Sequence, residues 1–235
     1  MNDWLIPDWP APARVKACIT TRAGGVSVAP FDSLNLGDHV DDDPAAVTEN
    51  RRRLTDQFAI RPAWLQQVHG IAVVEADPTL VATATPGIAC TAMTADCLPV
   101  LFCNRAGTHV AAAHAGWRGL ANGVLEATLD SLQVPAVDVL AWLGPAIGPQ
   151  AFEVGPEVRE AFIAQLPQSA QAFVPSRNAG KFLADIYALA RLRLATRGVS
   201  AVYGGGLCTV TDPRFFSYRR SPRTGRFASL VWIER

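Results

Sequence analysis

Histidine is scarce in this chain of 235 residues, occurring only at positions 39, 69, 109 and 114, so the place of each one carries information. His69 closes the strand-like run WLQQV ahead of Gly70, and His114 closes THVAAA and opens HAGWRG. Between them Cys97 stands in TADCLPVLF, after a polar break and just before a new apolar run. Strand ends are where rigid elements hand side chains to a site. Two imidazoles and a thiolate suit Zn²⁺, whose borderline softness accepts nitrogen and sulfur together in a tetrahedral set. A structural zinc closes with four protein ligands, whereas three leave a position for water, so His69, Cys97 and His114 read as a catalytic site. The competing reading makes Cys97 a small buried hydrophobe and each histidine a hydrogen-bonded core residue; the long spacing leaves both open. A third use of the same side chains needs no metal: Cys97 as nucleophile on an amide, with His114 as its base. Asp96 beside Cys97 is a candidate to orient a ligand or carry a proton, or is simply a turn residue.

Arginine forms a second constellation, at Arg22 in TRAGG, Arg51 in ENRRR, Arg118 in HAGWRG, and Arg219 and Arg220 in FFSYRR. Planar guanidinium groups grip phosphate through two hydrogen bonds at once, and the turn at Gly24 and Gly25 offers backbone N–H groups to an anion. The plainer reading is a solvated helix face at residues 51–53 and surface ion pairs elsewhere.

The elements that must position these groups can be traced in outline. Residues 15–20 read as a strand entering a tight glycine-rich loop, and residues 44–58 as a helix, with Pro at its start and Asp41 to Asp43 where an N-terminal dipole favours negative charge. From 64 to 113 the texture is short apolar segments punctuated by Gly, Pro and Asn, as in a mostly β core. A helix is expected over 119–132, a buried strand over 137–143, helices over 156–166 and 185–197, and strands over 201–203, 215–219 and 227–233. No repeat or linker divides the chain, so residues 1–235 are expected to form a single catalytic domain of the α+β class: packed mixed sheets with outer helices. The alternative, a doubly wound α/β sheet, lacks its regular alternation.

Basic and acidic side chains balance at 21 each, which excludes the electrostatic signature of a nucleic-acid or membrane-surface binder. The uncharged stretch 78–95 carries prolines and threonines and reads as strands and turns rather than a membrane span. Five cysteines without a CxxC pair, and an N-terminus without a cationic, apolar leader, point to reduced thiols and the cytoplasm.

Taken together, TRAGGVS, PFDSLNLGDHVDDDP, QVHG, TADCLPVLF, AAAHAGWRG, WLGPAIGP, FEVG and FFSYRR with TGR resemble the laccase-domain family, also called multicopper polyphenol oxidase-like. That family contains bacterial purine nucleoside phosphorylases and a peptidoglycan editing factor, and the resemblance spans nearly the whole chain. It implies zinc on His69, Cys97 and His114, the fold shared with cysteine deamidase toxins, phosphorolysis of adenosine, inosine, guanosine and methylthioadenosine, and adenosine deamination. Inorganic phosphate would be a co-substrate, with Arg22, Asn35, Arg51 and Arg118 as candidates to bind substrate or phosphate, and Cys97, His114 and Asp96 as catalytic candidates. His39, in GDHV, matches the family and is a candidate to organise its loop. One departure bears on substrate preference: where members carry an acidic segment before TxxPG, this chain has TLVAT at 79–83, with Asp77 displaced. The editing branch keeps open a thiol hydrolase acting on a peptidoglycan precursor. The laccase name raises copper, with Met93 as an axial group; four histidines cannot hold several coppers, which leaves copper as an alternative metal only.

Overall fold

Two sheets packed face to face account for most of the molecule, which a computed structural model describes over residues 3–64 and 82–235. The strands are β1 (Val15–Ile19), β2 (Arg61–Trp64), β3 (Ala82–Thr83), β4 (Ile88–Thr94), β5 (Leu98–Asn104), β6 (Val110–Ala115), β7 (Val139–Leu143), β8 (Glu153–Val154), β9 (Phe173–Pro175), β10 (Phe182–Ala184), β11 (Ala201–Gly204) and β12 (Phe227–Ile233). One sheet runs in the order β1-β12-β4-β2 and the other β11-β7-β5-β6-β3, while β8-β10-β9 form a small third. Most pairings are antiparallel; β2 with β4 and β7 with β11 are parallel. The class is therefore α+β with mixed sheets, not a doubly wound α/β sheet.

Why the strands read as unbroken apolar runs follows from the layering. On β5, Leu101 and Cys103 face the other sheet while Leu98, Val100 and Phe102 face helices; β6 divides Val110 and Ala112 from Ala111, Ala113 and Ala115 in the same way. On β12, Phe227, Val231 and Ile233 meet the partner sheet, and Ala228, Leu230 and Trp232 meet the opposite layer. With both faces of both central sheets buried, the period-two alternation of a half-exposed sheet disappears.

Helix α1 (Pro44–Phe58) covers the outer face of the first sheet, entered through Asp43, whose side chain accepts from the Ala45 N–H at 2.9 Å. Helices α2 (Trp117–Asn122), α3 (Val124–Leu132), α4 (Pro156–Gln165) and α5 (Ile186–Thr196) cover the outer face of the second. The single helix expected over 119–132 is two, because Gly123 at φ 100° takes a left-handed conformation that ends one and starts the next. Residues 136–138 form a 3₁₀ turn, so the expected strand begins only at Val139. The strand expected over 215–219 is absent: Phe215 and Phe216 are fully buried core plugs in an irregular loop, whose carbonyls at 209, 210, 212 and 215 accept from Arg220. No helix among the described residues is long and apolar enough to cross a membrane.

Candidate active site

The two central sheets part at one end, where β4 and β5 meet at the turn Ala95–Asp96–Cys97 and β12 begins after Arg226. A cavity of about 400 Å³ opens there, with Cys97, His114, Asp96, Trp117, Tyr218 and Arg226 among its walls. Sheet register explains the convergence. His114 on β6 lies directly across from Pro99 on β5, and Cys97 lies two residues before Pro99, so the thiol and the imidazole leave the same face of the sheet. That face is the one buried between the sheets further along, where Leu101 and Ala112 pack. At the open end the same positions are freed for chemistry.

Cys97 and His114 thus reach one cavity, while the third expected donor, His69, lies outside the described residues, as does Asp77. Among the described residues no three His, Cys, Asp or Glu groups gather as a metal site. The chemistry of the described donors fits a borderline cation. Burial pushes the Cys97 thiol up to about 11, the Asp96 carboxylate adds to the rise, and the Arg226 guanidinium opposes it. Such a thiol ionises when a bound cation replaces its lost hydration, and is poorly suited to act alone as a nucleophile.

Asp96 holds the turn together. Its backbone sits at φ 93°, a left-handed conformation that costs about 1–3 kcal/mol for a residue with a Cβ. The carboxylate accepts from the Thr209 hydroxyl at 2.6 Å and from the backbone N–H of Arg219 at 2.6 Å, and the carbonyl accepts from the Ile147 N–H at 2.9 Å. One residue therefore joins the WLGPAIGP loop, the CTVT loop and the FFSYRR loop around Cys97. Behind that wall the Tyr187 hydroxyl donates toward Leu207 O and accepts from the Ala146 N–H. Nearby, burial tends to raise the Cys208 thiol, but N–H donation from Gly148, with further hydrogen bonds from Thr211 and Val210, brings it below its ordinary value.

The arginines separate into two groups. Arg22 pairs with Asp32 at 2.9 Å and donates to the Asp32 carbonyl, its guanidinium 5.1 Å from the Phe216 ring. Arg51 pairs with Asp38 at 3.2 Å, donates to Leu36 O at 2.9 Å and lies 4.3 Å over the Trp64 ring. Arg118 is exposed and stacks at 4.4 Å on Trp117, so it adjoins the cavity only through that wall residue. None of the three is among the cavity's lining residues. At Gly25 the backbone N–H is given to the Ser33 hydroxyl rather than to an anion, and a Cβ there would lie 2.0 Å from the Ser33 carbonyl oxygen. The role of Gly25 is close packing of backbone on backbone.

Arg219 and Arg226 do line the cavity. Arg219 spends its guanidinium on the carbonyls of Ala151 and Glu153. Among the described residues the Arg226 guanidinium donates only to the carbonyls of Thr224 and Gly225, and burial lowers its pKa from the ordinary value. Its seat is built by Asn35, a fully buried residue whose side-chain oxygen accepts from the Arg226 backbone N–H at 2.8 Å. Gly37 leaves room for the arginine stem, since a Cβ there would lie 2.8 Å from the Arg226 Cγ. Asn35, a candidate to bind substrate or phosphate, thus positions a residue that lines the cavity. Arg226 itself was hidden in sequence as the last letter of TGR; the paired signals are NLG and TGR, two glycine turns that meet. His39 lines the cavity mouth, 3.5 Å from Asp38. His109 lies at the opposite end of the β5–β6 hairpin, with Nδ1 3.0 Å from the Thr108 hydroxyl.

The family model described as multi-copper polyphenol oxidoreductase laccase matches residues 16–234. A purine nucleoside phosphorylase of Pseudomonas aeruginosa is 69% identical over the full length of both chains. The purine nucleoside phosphorylase YfiH of Escherichia coli is 54% identical, over 99% of this chain and 100% of the relative. Among solved structures, a Neisseria meningitidis protein superimposes with TM-score 0.95 at 53% identity, over 99% of this chain and 100% of that one. YlmD of Geobacillus stearothermophilus does so with TM-score 0.90 at 32% identity, over 99% and 96%.

Proposed function

Because the chain belongs to the multi-copper polyphenol oxidoreductase laccase family, and relatives along its whole length are named purine nucleoside phosphorylases, we propose that it is a zinc-dependent purine nucleoside phosphorylase. The observation that carries the reading is the joining, in one cavity, of a half-buried thiol and an imidazole with aromatic walls and a partly desolvated guanidinium. A volume of about 400 Å³ falls within the roughly 300–1,000 Å³ of small-molecule sites.

The substrates proposed are adenosine, inosine, guanosine and methylthioadenosine, with inorganic phosphate. Trp117, Phe152 and Tyr218 offer flat and apolar surface to a purine. Asp96 fixes the turn that carries Cys97 and so holds the reacting end of the cavity in one geometry. In phosphorolysis a phosphate oxygen bonds to C1′ as the C1′–N9 bond breaks; the bonding pair leaves with the purine, which takes a proton from solvent, giving ribose 1-phosphate and the free base. Cys97 and His114, with His69, would hold the zinc ion, which when bound supplies Lewis acidity to polarise a substrate heteroatom. Adenosine deamination, in which water replaces the 6-amino group and ammonia leaves, needs the same purine-binding walls and belongs to the same proposal.

Purified protein incubated with inosine, with and without phosphate, tests the reading by mass analysis of products. Hypoxanthine and ribose 1-phosphate should appear in equal amounts and only with phosphate; hypoxanthine with free ribose, or no turnover, would refute phosphorolysis. Adenosine in the same assay should yield inosine and adenine.

A further inference from the structure

Arg226 stands between two cavities. The first is that of Cys97 and His114; the second, of about 320 Å³, is lined by His39, Asp41, Arg223 and Thr224 and shares His39 and Arg226 with the first. The characters of the two differ. Trp117, Phe152 and Ile186 give the first its apolar surface, whereas the second is bounded mainly by charged and polar side chains. A nucleoside undergoing phosphorolysis presents the same division, with a flat base at one end and the incoming anion at the other.

We propose that Arg226 binds the phosphate co-substrate, with the His39–Arg223 cavity as the anion subsite and the Cys97–His114 cavity as the nucleoside subsite. The inference rests on the phosphorylase reading and names the co-substrate's place within it. Three observations carry it. Arg226 is the cation common to both compartments, so an anion held on it lies at their junction, where C1′ must meet its nucleophile. Among the described residues it forms no ion pair, and its donors reach only two backbone carbonyls through one terminal nitrogen, which leaves the rest of the planar fork for a ligand. A half-buried guanidinium that the Asp96 carboxylate reaches only through space, with no ion pair among the described residues, is costly unless an anion compensates it, and the protein builds a seat for it all the same, through Asn35 and Gly37. Arg223, exposed and 5.5 Å from the Phe31 ring, adds a second positive charge at the entrance. Asp41, on the same rim, opposes the anion and sets an upper limit on its affinity.

The test is a phosphate titration at saturating inosine on the zinc-containing protein, comparing wild type with Arg226→Gln, Arg226→Lys and Asp41→Asn. Losing charge-assisted hydrogen bonds to an anion should raise the phosphate KM of Arg226→Gln about 10- to 100-fold, with the inosine KM and zinc content unchanged. Arg226→Lys, which keeps the charge without the fork, should fall between, and Asp41→Asn should lower the phosphate KM. A phosphorolytic wild type with an unchanged phosphate KM in Arg226→Gln overturns the inference and leaves the function standing. A wild type without phosphate-dependent turnover overturns the function itself. Should Arg226→Gln fail to fold, Arg226→Lys decides: an unaltered phosphate KM there also overturns the assignment.

Discussion

The stretch from Thr20 to Arg53 and the wall of the Cys97 cavity carry the same kinds of side chain, yet dispose of them in opposite ways. In the first region most polar groups are answered from within, His39 and Asp41 on the cavity walls apart. Asn50, fully buried, accepts from the Val26 N–H and donates to Ser27 Oγ and the carbonyls of Ser33 and Asn35. Asp42 takes Ser27 and Asn35, Arg22 takes Asp32, and Arg51 takes Asp38. In the cavity wall the thiol is held up by burial and the Arg226 guanidinium forms no ion pair among the described residues. A region whose polar groups satisfy one another contributes order; one whose groups face a cavity uncompensated is arranged for a ligand.

Three substitutions would sharpen or break that contrast. The largest effect is expected from His114→Ala, which should lower kcat/KM for inosine by about a thousandfold or more and abolish zinc retention, with far-UV circular dichroism unchanged. Turnover at the wild-type rate would break the contrast at its functional side. Next comes Asn50→Ala, which takes a partner from the Val26 N–H and from three acceptors, two of them buried with Asn50, and should cost about 2 kcal/mol in urea unfolding. Its phosphate KM, measured on the folded protein, should stay near the wild-type value; a change matching that of Arg226→Gln would mean that the two regions act as one. The smallest is Arg22→Gln, an exposed pair worth about 0–1 kcal/mol, with no change in phosphate KM. A rise in that constant would return Arg22 to the anion site.

Much of the architecture was legible because burial leaves marks in composition. The β4, β5 and β12 segments are apolar throughout, since both their faces are covered, and α1 and α5 carry their capping aspartates and terminal punctuation in plain view. The FFSYR segment misled because aromatic, apolar residues fit a buried loop as well as a strand; only the carbonyls gathered by Arg220 distinguish them. Cys97 and His114 were legible as strand-end residues, and register alone brings them to one face. The arginines were not. An arginine's role depends on whether a carboxylate pairs with it in space, and the ion pair of Arg22 with Asp32, or the absence of one at Arg226 among the described residues, follows from tertiary contacts that no local pattern encodes.

The central claim is that Cys97 and His114 share one zinc ion with His69. Anomalous scattering at the zinc edge, on crystals grown without added metal, tests it most directly. A single peak is expected in the cavity, about 2.3 Å from the Cys97 sulfur and about 2.0–2.1 Å from a nitrogen of His114 and of His69. A fully active protein whose crystals show no such peak, or a peak bound by other side chains, would contradict it.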